Sequence, residues 1–367
     1  MKERIKQLIR YHKIKTWFDK YERALLPGAL VFGVIFDSFT FTNIDIASAF
    51  KLLGLYACLA GASIWFMNAD AAGRVSKERR VPQILRVACP IIIQFSFGAM
   101  LNAIFIFYFF SGTPLISWPF ILPLALLMIT NDLFRAYAQR PVVQLSVYFF
   151  ILFSLVSIIL PFTLHAIGVH IFFLSGGVSL VVFFSYALLL RRVAPTLGYK
   201  RLLASVAVIF LIINGLYWLN IIPPLPLSIR DTALAHNVQK VGSSYSLLVE
   251  KHSWWSRIPT GRTIQIEPGG KVYLYTAIFA PLDLHTIIVH HWQYFNDAEH
   301  KWVSSDRLRF AVTGGAKTGY RGFSFKARVS PGLWRVDVET TRGQVLGRAR
   351  FRVLATSDLP KLETVVK

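Results

Sequence analysis

From residue 24 to residue 222 the chain repeats one pattern, long apolar stretches separated by short polar connections. A bilayer core of about 30 Å takes roughly 20 helical residues to cross. Seven stretches suit that length, at about 24–42, 47–67, 84–110, 115–131, 142–163, 167–190 and 202–222. The fourth is short and holds Pro119 and Pro123, which a membrane helix accepts where neighbours satisfy the freed backbone groups. Past Pro223, Pro224, Leu225 and Pro226 the period drops from helical to two. Trp334, Val336 and Val338 alternate with Arg335, Asp337 and Glu339, and Ala349, Phe351 and Val353 alternate with Arg348, Arg350 and Arg352. Phe323, Phe325, Ala327 and Val329 stand against Ser324, Lys326 and Arg328 in the same way. These alternations predict half-buried strands, and glycine-rich turns near 267–270, 313–315, 330–332 and 341–343 separate them.

The expected fold is therefore a polytopic α-helical membrane bundle of about seven spans followed by an all-β, immunoglobulin-like antiparallel sandwich of seven or eight strands. In chain order this gives a basic interfacial segment at 1–23, the bundle at 24–222 and a Pro-rich linker at 223–235. The sandwich follows at 236–357, with a tail at 358–367.

Charge orients this arrangement. Arg74, Lys77, Arg79, Arg80 and Arg86 follow the second span, Arg135 and Arg140 the fourth, and Arg191, Arg192, Lys200 and Arg201 the sixth. The intervening connections near 43–46, 111–114 and 163–170 have no Lys or Arg. Basic connections stay cytoplasmic, which predicts a cytoplasmic N-terminus and an extracytoplasmic C-terminal domain. The first 23 residues carry eight basic side chains among Ile5, Leu8, Ile9, Trp17, Phe18 and Tyr21. Such a segment suits the inner interface of an anionic membrane or serves as a plain topology determinant. It has no apolar core segment of its own, so the first span is expected to act as an uncleaved signal. The net charge of +21 divides into +12 before residue 230 and +9 after it.

Chemistry-bearing residues are sparse. Within the spans Asp37, Gln94 and Asn102 are the polar candidates, since intramembrane ionisable and amide groups mark either pathways or interhelical bonds. In the C-terminal domain His290, Trp292 and Tyr294 share one strand face. They make either an aromatic platform for a sugar ring or phosphate, or a sandwich core with Trp292 at its centre and His290 satisfied by a backbone carbonyl. Arg348, Arg350 and Arg352 share another face, with Arg309 and Arg335 on neighbouring strands and Asp337 and Glu339 as internal partners. Either an anionic ligand answers these arginines or they form a solvated face that protects against aggregation. His285, His290, His291 and His300 lack zinc-ligand spacing, and Cys58 and Cys89 fall in apolar stretches. No metal or cofactor is expected. G-x-S-x-G, H-E-x-x-H, phosphate-loop and dinucleotide motifs do not occur in a usable context.

The run His290-His291-Trp292, then Arg309, Gly332-Leu333-Trp334-Arg335-Val336, Gly343 to Gly347 and Phe351-Arg352-Val353 resembles bacterial domain-of-unknown-function family 2914 over about residues 236–355. That resemblance implies a bacterial envelope setting and supplies no catalytic residues. The expected function is an inner-membrane protein whose periplasmic domain binds an anionic lipid, lipopolysaccharide, peptidoglycan or an envelope protein, with no nucleic-acid partner. The alternative makes the bundle a transporter or sensor of a lipid or small solute, with the sandwich as accessory.

Overall fold

The computed structural model describes residues 46–76, 79–129, 140–242, 244–250, 262–280, 284–313, 319–357 and 360–367. The first expected span, the interfacial segment before it and Asp37 lie outside these residues. Among the described residues six helices come first: α1 (Ile46–Ala71), α2 (Arg80–Phe110), α3 (Pro114–Ile129), α4 (Pro141–Leu164), α5 (Val169–Val193) and α6 (Tyr199–Trp218). They fall on the second to seventh apolar stretches. Five are long and apolar enough to cross a membrane, and α3, with 16 residues, is shorter.

The chain divides into two compact units, the first made of the helices without some of their connections. Aromatic and hydroxyl groups knit this bundle together, as expected where water gives no hydrophobic drive between helices. Tyr148 on α4 donates to the carbonyl of Ala57 at 2.9 Å, and Tyr186 on α5 donates to that of Gly61 at 2.7 Å. Gly61 permits this approach, because a Cβ there would stand 2.8 Å from Tyr148 Oη. Phe172 and Tyr217 stack at 3.7 Å between α5 and α6, and Ser146 and Ser205 bond at 2.7 Å between α4 and α6. Asn102 is buried on α2, with Gln94 two turns earlier, and both are engaged within the protein.

The second unit comprises Leu219–Lys367 together with Tyr108–Trp118 and Pro161–Gly168. Two connections that sequence separates widely from the strands thus belong to the β-rich body. Ile167 packs on its core, and Gly112 faces Pro223. The last residues before the strands are held as well, with Gln344 Nε2 donating to the Ile222 carbonyl at 3.2 Å.

Among the described residues eleven strands are present: β1 (Ser228–Ala235), β2 (Asn237–Val241), β3 (Ser244–Glu250), β4 (Arg262–Ile266), β5 (Val272–Phe279) and β6 (His285–Asn296), then β7 (Lys301–Thr313), β8 (Tyr320–Lys326), β9 (Gly332–Thr340), β10 (Val345–Ala355) and β11 (Leu362–Val366). They form sheets ordered β1-β5-β8, β4-β10-β9-β6-β7 and β11-β3-β2. The first two enclose the main core around Trp292, Trp334, Leu274, Ile278 and Phe351. A smaller core of Ala235, Val238, Leu247, Tyr275 and Ala277 joins the third sheet to the opposite side of β1-β5-β8.

Three expectations change. Residues 228–235 are a strand and not linker, because β1 pairs with β5 along its whole length. Residues 362–366 are not tail, since β11 closes onto β3. The pairing is antiparallel except where β4 runs parallel to β10. The expected strand count was low because β5 is covered on both sides, and burial on both faces erases the alternation that marks a strand.

Gly112 yields a direct test. A Cβ at this position would lie 2.6 Å from Cγ and 2.8 Å from Cβ of Pro223, and a proline ring cannot rotate away. Gly112→Val is expected to cost about 2 kcal/mol through overpacking, read as a lower Tm of the full chain in detergent, whereas Gly177→Ala, which meets open space, should leave Tm within a degree or two.

Candidate functional site

Strand β6 determines what each side of the large sheet presents. Its alternation turns Ile288, His290, Trp292 and Tyr294 inward and Val289, His291, Gln293 and Phe295 outward. His290 and Trp292 have no exposed surface, so these two cannot form a solvent-facing platform. Their polar atoms meet the neighbouring sheet. Trp292 Nε1 donates to Ser324 Oγ at 3.0 Å, Ser324 Oγ lies 2.7 Å from His290 Nδ1, and His290 Nε2 lies 3.2 Å from Thr276 Oγ1. An indole only donates, so the serine hydroxyl accepts from Trp292 and its own proton is available to His290. With the serine proton turned to Nδ1, Nε2–H is left to donate to Thr276 Oγ1. Burial pushes the His290 pKa down to about 3, and Phe310 sets its ring edge-on at 4.8 Å. Tyr294, half-buried, rests against Trp334 with ring centres 5.7 Å apart.

This chain also explains a reversal on β8. Phe323 and Phe325 face outward and Ser324 faces the core, opposite to the simple reading of alternation. Rings from β6 and β7 already fill the space, and a Cβ on Gly322 would sit 3.1 Å from Phe310. The outward phenylalanines pack instead against Tyr273 and Tyr245, at 5.3 to 6.1 Å between ring centres.

The outer face of the large sheet carries the arginines. Arg348 holds Asp337 through two bonds, Nε to Oδ1 at 2.5 Å and Nη2 to Oδ2 at 2.7 Å. This bond and the negative surroundings raise the Arg348 pKa against the opposing effect of burial. Arg307 pairs with Glu339. Both carboxylates are buried beneath these partners. Burial pushes the Glu339 carboxyl up, and Arg307 pulls it back. His291 lies between them. Burial and then Arg307 hold it below the ordinary histidine range while Asp337 acts the other way, and as a neutral ring it accepts from Gln293 Nε2 at 3.1 Å. Gln293 Oε1 in turn accepts from Arg335, Nε at 3.1 Å and Nη2 at 2.7 Å. The Arg335 guanidinium also lies over the Trp302 ring at 4.4 Å, a favourable cation–π placement.

The expected arginine set therefore separates into three roles. Arg348 is engaged by Asp337. Arg309 stands exposed on the edge strand β7, opposite Val289. Arg350 lies directly across from Arg335 in the β9–β10 register, and Arg352 follows across from Leu333. Arg350 and Arg352 are exposed. Their row continues to Trp302, whose ring meets Phe295 at 5.3 Å, so the aromatic surface of this face comes from Phe295 and Trp302. Sequence alternation marked the arginines but not His291, Gln293 and Trp302, which take meaning only from the β6–β9 register. Among the described residues no group of three or more His, Cys, Asp or Glu is placed to hold a metal.

Two outcomes test the inner chain. Ser324→Ala strands the Trp292 N–H and His290 Nδ1 in the core and should destabilise the unit by about 2–3 kcal/mol, measured by chemical unfolding. The His290 pKa is lower folded than unfolded, so its stabilising effect is complete above about pH 6.5 and is lost as pH falls toward 3. By pH 5.5 the loss reaches about 1.4 kcal/mol, and His290→Gln should abolish this part of the pH dependence.

No curated protein matches the chain. Among solved structures it is similar to a β-glucosidase from Listeria innocua in complex with gluconolactone, at 12% identity and a TM-score of 0.19, covering 36% of this chain and 16% of that one. It is also similar to the Pseudomonas fluorescens alkylpurine DNA glycosylase AlkC bound to DNA containing an abasic site analog, at 12% identity and a TM-score of 0.24, covering 83% and 98%. The chain spans less than a fifth of the glucosidase's length, and neither likeness carries an argument about fold or function. Residues 285–353, from β6 to β10, match the family described as protein of unknown function (DUF2914), the family that the motifs of this C-terminal region resemble.

Proposed function

We propose that this is an inner-membrane protein of about seven spans whose C-terminal domain, with an immunoglobulin-like pair of facing sheets, stands outside the cytoplasm and binds an anionic envelope component through the outer face of its larger sheet. The observation that carries this reading is the row Arg335, Arg350 and Arg352, none of which is in an ion pair with a carboxylate among the described residues. Six arginines lie on that face, and its two carboxylates, Asp337 and Glu339, are already held by Arg348 and Arg307. Adjacent guanidiniums on neighbouring strands repel, and an anion would relieve that cost. The sidedness draws support from the β-rich unit, which takes in the connections at 111–113 and 165–168 that lack basic residues. The opposite helix ends carry Arg74, Arg140, Arg191 and Arg192, the pattern of cytoplasmic connections.

A sensing or transporting bundle, with the β-rich domain as accessory, is supported by a separate observation. The ends of α2, α3 and α4 belong to the β-rich unit, so the chain passes from one unit to the other within these helices.

The binding reading predicts that full-length protein in zwitterionic nanodiscs co-sediments with anionic vesicles, lipopolysaccharide or peptidoglycan, and that Arg350→Glu with Arg352→Glu lowers this binding at least tenfold. Wild-type binding should weaken as salt rises. Unchanged binding by the folded double variant would sink the proposal and shift attention to the bundle.

A further inference from the structure

The way this face treats its own carboxylates indicates what the row selects. Asp337 occupies one guanidinium, Arg348, with both oxygens, in the fork geometry that matches a planar carboxylate. Glu339 likewise takes Arg307. One carboxylate per arginine is thus the pattern where the face is satisfied. The row departs from it, since Arg335, Arg350 and Arg352 take part in no carboxylate ion pair among the described residues. Arg335 and Arg350 stand across from each other on neighbouring strands, about 5 Å apart at the backbone. Arg352 is two residues from Arg350 on the same face, about 7 Å further along. Three donors in a triangle suit a tetrahedral group with three free oxygens and close to two negative charges, which a phosphomonoester supplies at neutral pH. A carboxylate or phosphodiester offers one charge and two free oxygens.

Arg335 is already oriented for such a role. Gln293 holds two of its N–H groups and Trp302 supports its plane, so less side-chain freedom is lost on binding. Arg350 and Arg352 are exposed and can close onto the ligand.

We infer that Arg335, Arg350 and Arg352 form a binding site for a phosphomonoester. This rests on the anion-binding reading and specifies its ligand. The test uses the full chain in zwitterionic nanodiscs, titrated calorimetrically at pH 7.5 with glucose 6-phosphate, inorganic phosphate, dimethyl phosphate and glucuronate, and in parallel with phosphatidic acid vesicles. Glucose 6-phosphate is expected to bind at least tenfold tighter than glucuronate or dimethyl phosphate. Its affinity should fall several-fold at pH 5.5, where the phosphate loses its second charge. Arg350→Lys, which keeps the charge but not the fork, should weaken it about tenfold, while Lys240→Gln, on the exposed part of β2 in another sheet, should leave it unchanged. Equal affinity for glucuronate and glucose 6-phosphate would overturn the phosphomonoester assignment while leaving anion binding intact. Binding to phosphatidic acid vesicles alone would support the phosphomonoester and assign it to a lipid headgroup. No binding of any anion by the folded protein would overturn both readings.

Discussion

The strand β6 has a fixed inside and outside because its polar core groups have only one set of partners. His290 and Trp292 each carry ring nitrogens that cannot be left bare in an apolar interior, where a lost hydrogen bond costs more than a made one gains. Ser324 and Thr276 on the facing sheet supply the complement. A slip of one residue would bring His291 and Gln293 inward with nothing to receive them. The outer face is built on this register. Gln293 meets Arg335, Asp337 meets Arg348, and the row at Arg350 and Arg352 follows from the pairing of β9 with β10.

Polarity is thus used in two ways within one sheet. Inside, a neutral chain of four side chains joins the layers without any charge to desolvate, the inexpensive way to bury polar groups. Outside, two carboxylates sit deep under arginines and fix the positions of their neighbours. An arginine surplus remains where the strands are most exposed.

Much of this was legible in the chain and some of it was not. The six helices fall where apolar runs of bilayer length lie, since such runs admit few other structures. Strands β9 and β10 showed their faces because one side is solvated. The facing of β8 was hidden: Phe323 and Phe325 look like core residues, and only the bulk of Phe310, Trp292 and His290 forces Ser324 into their place. The β1 strand was masked by the prolines before it, and β11 by its exposure, as none of its five residues is buried. Of the site, the arginines could be read as a set, yet their division among Asp337, the edge strand and the open row depends on register. Gln293 and Trp302 gave no signal, because an amide and a ring become partners of Arg335 only across strands.

The parallel seam between β4 and β10 and the closure of β11 on β3 have a bearing on how the molecule comes into being. The first joins segments about ninety positions apart and the second segments about 112 to 120 apart. Synthesis at about 5–20 residues per second means that β3 and β4 emerge many seconds before their partners exist. During that interval two strand edges stand open, a condition in which chains pair wrongly. Lys240 and Lys271, close to the early strands, add repulsive charge there, and the nascent chain is at its most vulnerable until its final strand arrives.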